Sequence, residues 1–268
     1  MEQKPLFDQP PVLTQEQTDF YHENGFVTVN ILSHDECYKA IEVFDYYRRL
    51  TDDKDYKGIM NLDQPEYCAK EYGIREPWIH MYVKQMLVKH PAVVTGLEIL
   101  QGVGIGCVVN VQSMFLFKKA GTKYGKEQAW HPHQDNSYPK AKQGAYITAN
   151  LVFTDQDVEN GCMFIYPGSH KEPLLAYEAR KSFREGQGER PGNDLSNNQV
   201  FQEKYEGKHI DIPMKKGDVL FLDGHCIHGS YPNVSPDRDR PMLLIPYLTN
   251  GYEFIPGKVG QRKELPIR

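Results

Sequence analysis

The feature that most constrains this chain is a change of rhythm after residue 106. Segments 107–117, 145–153, 162–166, 209–213, 218–222 and 241–248 are short, apolar or alternating, and separated by turn residues. Strands of this length and spacing close into a β-sandwich or barrel. The first hundred residues follow another pattern. Thr14 caps a helix through Tyr21 that stops at Asn24-Gly25, and Phe26 to Val29 alternates as a short strand. Ser33 with Glu36 three residues later forms a capping box and opens an amphipathic helix toward Arg49, with Ile41, Phe44 and Tyr47 (or Tyr46) facing inward. Pro77 to Gly102 resumes helical spacing, interrupted near Pro91. The expected architecture is mostly β with flanking helices: one domain over 1–268, in which an N-terminal helical buttress (14–102) supports a jelly-roll core (104–250). Two polar stretches, 51–76 and 174–208, read as long loop or lid insertions, and loops of that length in a compact domain carry function or motion.

Charge narrows the partners. The net charge is −5, with Lys and Arg scattered among Asp and Glu, so neither nucleic acid nor an anionic membrane is an expected partner. Five cysteines, none in a C-x-x-C pair, suggest reduced thiols rather than a zinc knuckle or disulfide framework. The start MEQKPLFDQP lacks the pattern of a signal peptide, and no run approaches the roughly 20 apolar residues of a membrane span. The expectation is a cytoplasmic protein acting on a small molecule, its oligomeric state left open.

The chemistry concentrates in Trp-His-Pro-His-Gln-Asp-Asn-Ser-Tyr, residues 130–138. His133 and Asp135 are two apart, so an extended backbone turns both side chains to one face. One imidazole and one carboxylate, joined by a distant histidine, make the facial triad of non-heme Fe(II) oxygenases. The third ligand is expected in 217–233, where both His225 and His228 stand; His228 lies just before Gly-Ser, where the backbone can turn tightly around a ligand. A second H-x-D pair, His209 with Asp211, lacks a histidine at comparable separation. Three protein ligands leave room for a chelating 2-oxoglutarate and for dioxygen. The distal carboxylate of 2-oxoglutarate needs a buried cation, for which the arginine fork is best suited. Arg240, at the start of an apolar strand, is the candidate, and Arg238, in the turn Ser-Pro-Asp-Arg, is its competitor. Ser230 could donate its hydroxyl to the same carboxylate.

In this order, LTQEQTDFYHENGFVTV, VQSMFLFKKAG, WHPHQDNSY, ENGCMFIYPGSHK and KKGDVLFLDGHCIHGSYPNVS resemble the phytanoyl-CoA dioxygenase family of Fe(II)/2-oxoglutarate oxygenases. The resemblance implies a double-stranded β-helix (jelly roll, cupin-like) with iron held by His133, Asp135 and His228. It also implies hydroxylation of a small organic metabolite, with release of succinate and carbon dioxide. The family's arginine usually falls eleven residues after the second histidine, where this chain has Asp239; counting back seven from Tyr247 lands on Arg240, which implies a one-residue insertion. Ser230 fits the family's serine, and Gln112 sits where relatives place a polar residue near the co-substrate. The retained Asp135 points to a hydroxylase rather than a halogenase, whereas desaturation, ring closure and epimerisation use the same triad. Asn160-Gly161 and Pro167 to His170 read as a turn and a rim loop, with His170 an anchor. Substrate contacts are expected from 51–76, 174–208 and Tyr138; a small polar metabolite, a phosphonate, a natural-product intermediate and an acyl thioester all stay open. Two further readings are a non-catalytic jelly-roll ligand-binding module and a cupin-like metalloenzyme that does not use 2-oxoglutarate.

Overall fold

The computed structural model describes residues 12–50, 58–122, 128–181, 189–256 and 262–268. The chain opens with α1 (Gln15–Asn24), β1 (Phe26–Asn30) and α2 (His34–Leu50), followed by β2 (Gly58–Met60), α3 (Pro65–Tyr72) and α4 (Pro77–Tyr82). A π-helical turn (Val83–Val88) leads to α5 (Pro91–Gln101). Then come β3 (Val108–Asn110), β4 (Met114–Lys118), β5 (Trp130–His133), β6 (Tyr146–Val152), β7 (Met163–Ile165), β8 (Glu178–Lys181) and β9 (Glu189–Asp194). The last elements are α6 (Gln199–Lys204), β10 (Ile210–Ile212), β11 (Asp218–Asp223), β12 (His228–Ser230), β13 (Arg240–Thr249) and β14 (Leu265–Pro266).

Local chemistry sets the N-terminal boundaries. Thr14 and Gln17 exchange side-chain and backbone hydrogen bonds at the head of α1, and Gly25 ends it in the left-handed region. Ser33 and Glu36 make the same reciprocal cap on α2. Helices α3, α4 and α5 each start on proline, whose missing N–H is unneeded in a first turn.

The strands form two main sheets. The larger has the order β1-β11-β6-β13-β3-β14, with β4 on β13 and β2 on β4; the smaller has the order β10-β7-β12-β5. Every pairing in them is antiparallel. Strand alternation sorts the two faces of the large sheet. Leu151, Ala149, Ile147, Leu243, Ile245 and Tyr247 pack with the helices in the major core. Their neighbours Val152 and Met242 point the other way and meet Met163, Ile165 and Ile212 of the small sheet. Helices therefore cover one face, while the other closes on the second sheet as a jelly roll.

The helical layer is keyed to the sheet by an aromatic stack: Phe44 of α2 lies on Phe115 of β4 with ring centroids 3.8 Å apart, and Phe153 is 5.4 Å away. Phe44→Ala should cost about 3–5 kcal/mol, the usual range for a truncated core phenylalanine. Urea denaturation of the metal-free protein measures it, and a loss below about 1 kcal/mol would mean that the buttress does not hold the sheet.

Several expectations need amending. The stretch 174–208 contains the β8–β9 hairpin and α6, and 51–76 contains β2 and α3. Both are more ordered than loops, although 51–57 and 182–188 lie outside the described residues. Tyr46 packs against the core, while the side chain of Tyr47 lies outside the described set. No helix among the described residues is long and apolar enough to cross a membrane.

Candidate metal centre and co-substrate pocket

Strands β5 and β12 are antiparallel neighbours, and their register sets His228 directly opposite His133. The two imidazole centroids are 4.3 Å apart. These histidines come from adjacent strands of one sheet, not from opposite strands of a barrel. β5 is an edge strand, the position that tolerates Pro132. Asp135 does not continue the strand: it opens a short 3-10 turn (Asp135–Ser137) after an extended Gln134, whose backbone keeps it facing His133. The three side chains bring one donor atom each within 4.8 Å of one another. His133 Nε2 is 3.4 Å from Asp135 Oδ1, and His228 Nε2 is 3.7 Å from Oδ2. Bonds of about 2.1 Å to one ion place adjacent donors about 3 Å apart, so the set is slightly open for a metal.

The protonation pattern suits a metal. His133 Nδ1–H donates to the His131 carbonyl at 2.7 Å, and His228 Nδ1–H donates to the Cys226 carbonyl at 3.0 Å. Each ring is thereby fixed with its Nε2 lone pair turned to Asp135. Burial first, and then the neighbouring His133, push His228 down to about 4, so it is neutral at pH 7. Burial pushes the Asp135 carboxyl up, but the adjacent His228 and His133 hold it below its ordinary value, leaving it ionised. Asp135 Oδ2 is shut off from solvent with no hydrogen-bond partner among the described residues. A buried anionic oxygen left without a donor is costly, and a cation between the three groups removes that cost. The residues present fit a metal ion.

The other ligand candidate, His225, has a different task. Its Nδ1 accepts from the Asn136 side-chain amide at 3.3 Å, and its carbonyl accepts from Gln134 Nε2 at 2.9 Å. The residues flanking Asp135 thus tie the turn before His228 to the turn after His133. Gly229 permits this closeness: a Cβ there would collide with the Phe164 ring and the Trp130 carbonyl. His209 and Asp211 are engaged with Tyr231 away from the cavity, the His209 ring 3.0 Å from its hydroxyl. His170, as expected, is an anchor, its Nε2 3.1 Å from the His22 carbonyl.

The triad stands on the wall of a cavity of about 470 Å³. Gln112, Tyr138, Ser230 and Arg240 also line it, with an apolar set that includes Met114, Leu116 and Leu244. Arg240 is 1% exposed, and its Nε donates to the Gly161 carbonyl at 3.1 Å. No carboxylate lies within ion-pair distance of it among the described residues. Burial lowers its pKa to about 10, which still leaves it charged at pH 7. Arg238, by contrast, is a partly exposed surface residue held by Asp157 at 2.7 and 3.0 Å and by Glu159 at 2.5 Å. Sequence reasoning missed Lys118, which pairs across β4–β13 with Arg240 and donates from Nζ to Ser230 Oγ at 2.7 Å. With that oxygen accepting from lysine, the serine proton is left to donate. The signal was present, because Lys118 shares the inward parity of Met114 and Leu116. Two residues that line the cavity, Tyr146 and Arg262, were also missed. Among the described residues lining the cavity, none comes from 51–76 or 174–208.

A jelly roll with two histidines and one carboxylate converging on its cavity is the arrangement of cupin-like non-heme iron proteins. The family profile for phytanoyl-CoA dioxygenase (PhyH) matches residues 21–242. The chain belongs to that family. It is 29% identical over 162 residues to a phytanoyl-CoA dioxygenase of Arabidopsis thaliana, covering 59% of this chain and 51% of that protein. It is 25% identical over 236 residues to the peroxisomal phytanoyl-CoA dioxygenase of Bos taurus, covering 84% of this chain and 65% of the relative. The chain thus spans about half to two thirds of the length of these curated relatives. Among solved structures, the non-heme alpha-ketoglutarate-dependent carbocyclase SnoK of nogalamycin biosynthesis superposes with TM-score 0.69 at 20% identity, over 95% of both chains. The epimerase SnoN, in complex with Fe3+, alpha-ketoglutarate and nogalamycin RO, gives 0.64 at 18% identity over 94% of both. These likenesses fix the fold.

Proposed function

We propose that this protein is an Fe(II)- and 2-oxoglutarate-dependent dioxygenase that hydroxylates a small organic metabolite. The observation that carries the reading is the pairing, within one cavity, of a metal-fitting triad with a buried arginine that lacks an acidic partner among the described residues. His133, Asp135 and His228 would hold the iron. Arg240 would take the distal carboxylate of 2-oxoglutarate, with Ser230 donating and Lys118 setting the serine's orientation. Iron with the keto acid supplies the oxidation: dioxygen is consumed, the keto acid becomes succinate and carbon dioxide, and a C–H bond becomes C–OH. The protein holds both reactants and, through the apolar walls, keeps water away from the reacting centre. Asp135 favours hydroxylation over halogenation, because the carboxylate fills the position a halide would need. A binding module would have no use for a triad, and a cupin-like enzyme without keto acid would have none for a buried Arg240. The reading includes a small-molecule partner and a cytoplasmic location.

Anaerobic titration of the metal-free protein with Fe(II) and then 2-oxoglutarate tests it. The expected result is a weak charge-transfer band near ~500 nm, the signature of a keto acid chelated to iron. If iron binds and no band develops, the co-substrate reading fails and the metalloenzyme without 2-oxoglutarate takes its place.

A further inference from the structure

The described C-terminal segment returns to the cavity. β14 pairs with β3, setting Leu265 opposite Asn110, Ile267 is buried, and Arg268 closes an ion pair to Glu98 at 2.6 Å. Upstream of this dock, the Arg262 backbone N–H donates to the Pro256 carbonyl at 2.8 Å. The anchored segment delivers the Arg262 guanidinium into the cavity wall. One nitrogen, Nη1, donates to the Ile255 carbonyl at 3.2 Å. Nε is closed off from solvent without an acceptor, and no carboxylate lies within ion-pair distance of the group among the described residues. The guanidinium also hydrogen-bonds the Tyr146 side chain, a neutral partner, and its charge reaches Asp135, which places it on the iron side of the cavity.

Arg262 and Arg240 serve different ends of the cavity. Tyr146 stands opposite Leu248 near the end of β13, whereas Arg240 begins that strand, on the order of 25 Å of extended chain away. Between them β13 turns Met242, Leu244 and Pro246 to the cavity. The distal carboxylate of a 2-oxoglutarate held at Arg240 therefore does not occupy Arg262. On the oxygenase reading, on which this inference rests, the two charges of Fe(II) are met by Asp135 and the C1 carboxylate of the keto acid. The charge on Arg262 is then available to another anion.

We propose that Arg262 anchors an oxyanion group, carboxylate or phosphonate, on the oxidised substrate. The substrate is then a small organic acid whose apolar part lies along Trp130 and Tyr138 and whose head is held at Arg262. The aromatic rings favour an organic body, and the guanidinium fork selects a planar or tetrahedral oxyanion over an uncharged head.

The test uses full-length protein loaded with Fe(II) and 2-oxoglutarate under anaerobic conditions. Binding of hexanoate, hexylphosphonate and hexanamide is followed by calorimetry and by perturbation of the charge-transfer band. The wild type should bind at least one of the two acids well ahead of the amide, and the stronger of them identifies the head group. Arg262→Gln should lose roughly 10- to 100-fold in affinity for the acids, the scale of a hydrogen bond to a charged group, with amide binding and 2-oxoglutarate affinity unchanged. Arg262→Lys should recover part of the acid affinity, which separates charge recognition from a structural role at Ile255 and Tyr146. The proposal is overturned if the wild type does not distinguish acid from amide, or if Arg262→Gln binds the acids like the wild type. It is equally overturned if the variant loses 2-oxoglutarate and acid together. Failure of the parent reading looks different: 2-oxoglutarate does not bind the wild-type iron protein, and calorimetry still reports the choice between acid and amide.

Discussion

Replacing Asp135 by alanine is expected to abolish iron-dependent turnover while leaving the fold intact, and His133→Ala is expected to do the same. Loss of a hydrogen-bond partner behind a metal ligand typically costs 10- to 100-fold in metal affinity or activity, so loss of a ligand should exceed about 100-fold. The structure says why the two effects separate. Asp135 Oδ2 has no hydrogen-bond partner among the described residues and Oδ1 meets only a long 3.4 Å contact from His133 Nε2, so removing the side chain gives up little bonding and takes away a buried charge. Metal-free Asp135→Ala should therefore unfold at the same urea concentration as the wild type, or at a higher one. The added stability that Fe(II) gives the wild type by binding only the folded state should disappear. Succinate formation and urea midpoints with and without Fe(II) measure both parts. Near-normal turnover in either variant would refute the triad. A collapse of metal-free stability would show that the carboxylate holds the fold rather than the ion.

Much of this was legible in the sequence because strand parity and metal spacing are local. The six apolar segments correspond to real strands, and the two caps, Thr14 and Ser33, set the starts of their helices. His133 and Asp135 were visible because two residues of extended chain define a face. His228 needed the resemblance, since His225 is just as plausible by spacing; only packing shows that His225 is spent on Asn136 and Gln134. The β8–β9 hairpin was hidden because ERPGND and its partner strand carry almost no apolar alternation. Arg262 was hidden for a deeper reason. Its place in the cavity depends on β14 pairing with β3 across more than 150 residues of chain, and no short-range pattern encodes that contact. Lys118 lies between these cases: its inward parity was readable, but its purpose required knowing that Arg240 and Ser230 stand beside it.

The two arginines two residues apart give the second large effect. Arg240→Ala should raise the KM for 2-oxoglutarate by roughly 30-fold or more, because truncating one partner of a buried charge pair costs about 2–5 kcal/mol. Arg238→Ala should change it by less than about twofold, since an exposed ion pair is worth about 0–1 kcal/mol. Two residues apart and equal in charge, they differ in where β13 begins. Arg240 is the strand's first residue and turns to the cavity, whereas Arg238 lies in the preceding turn, where Asp157 and Glu159 already satisfy it. Arg240→Lys separates charge from shape: an ammonium keeps the attraction but loses the fork, so its KM should fall between those of the wild type and the alanine variant. Steady-state kinetics with 2-oxoglutarate varied at saturating Fe(II) reads all three. If Arg238→Ala proves the more damaging, the distal carboxylate is held at the rim of the sandwich, and the buried charge of Arg240 needs another anion to explain it.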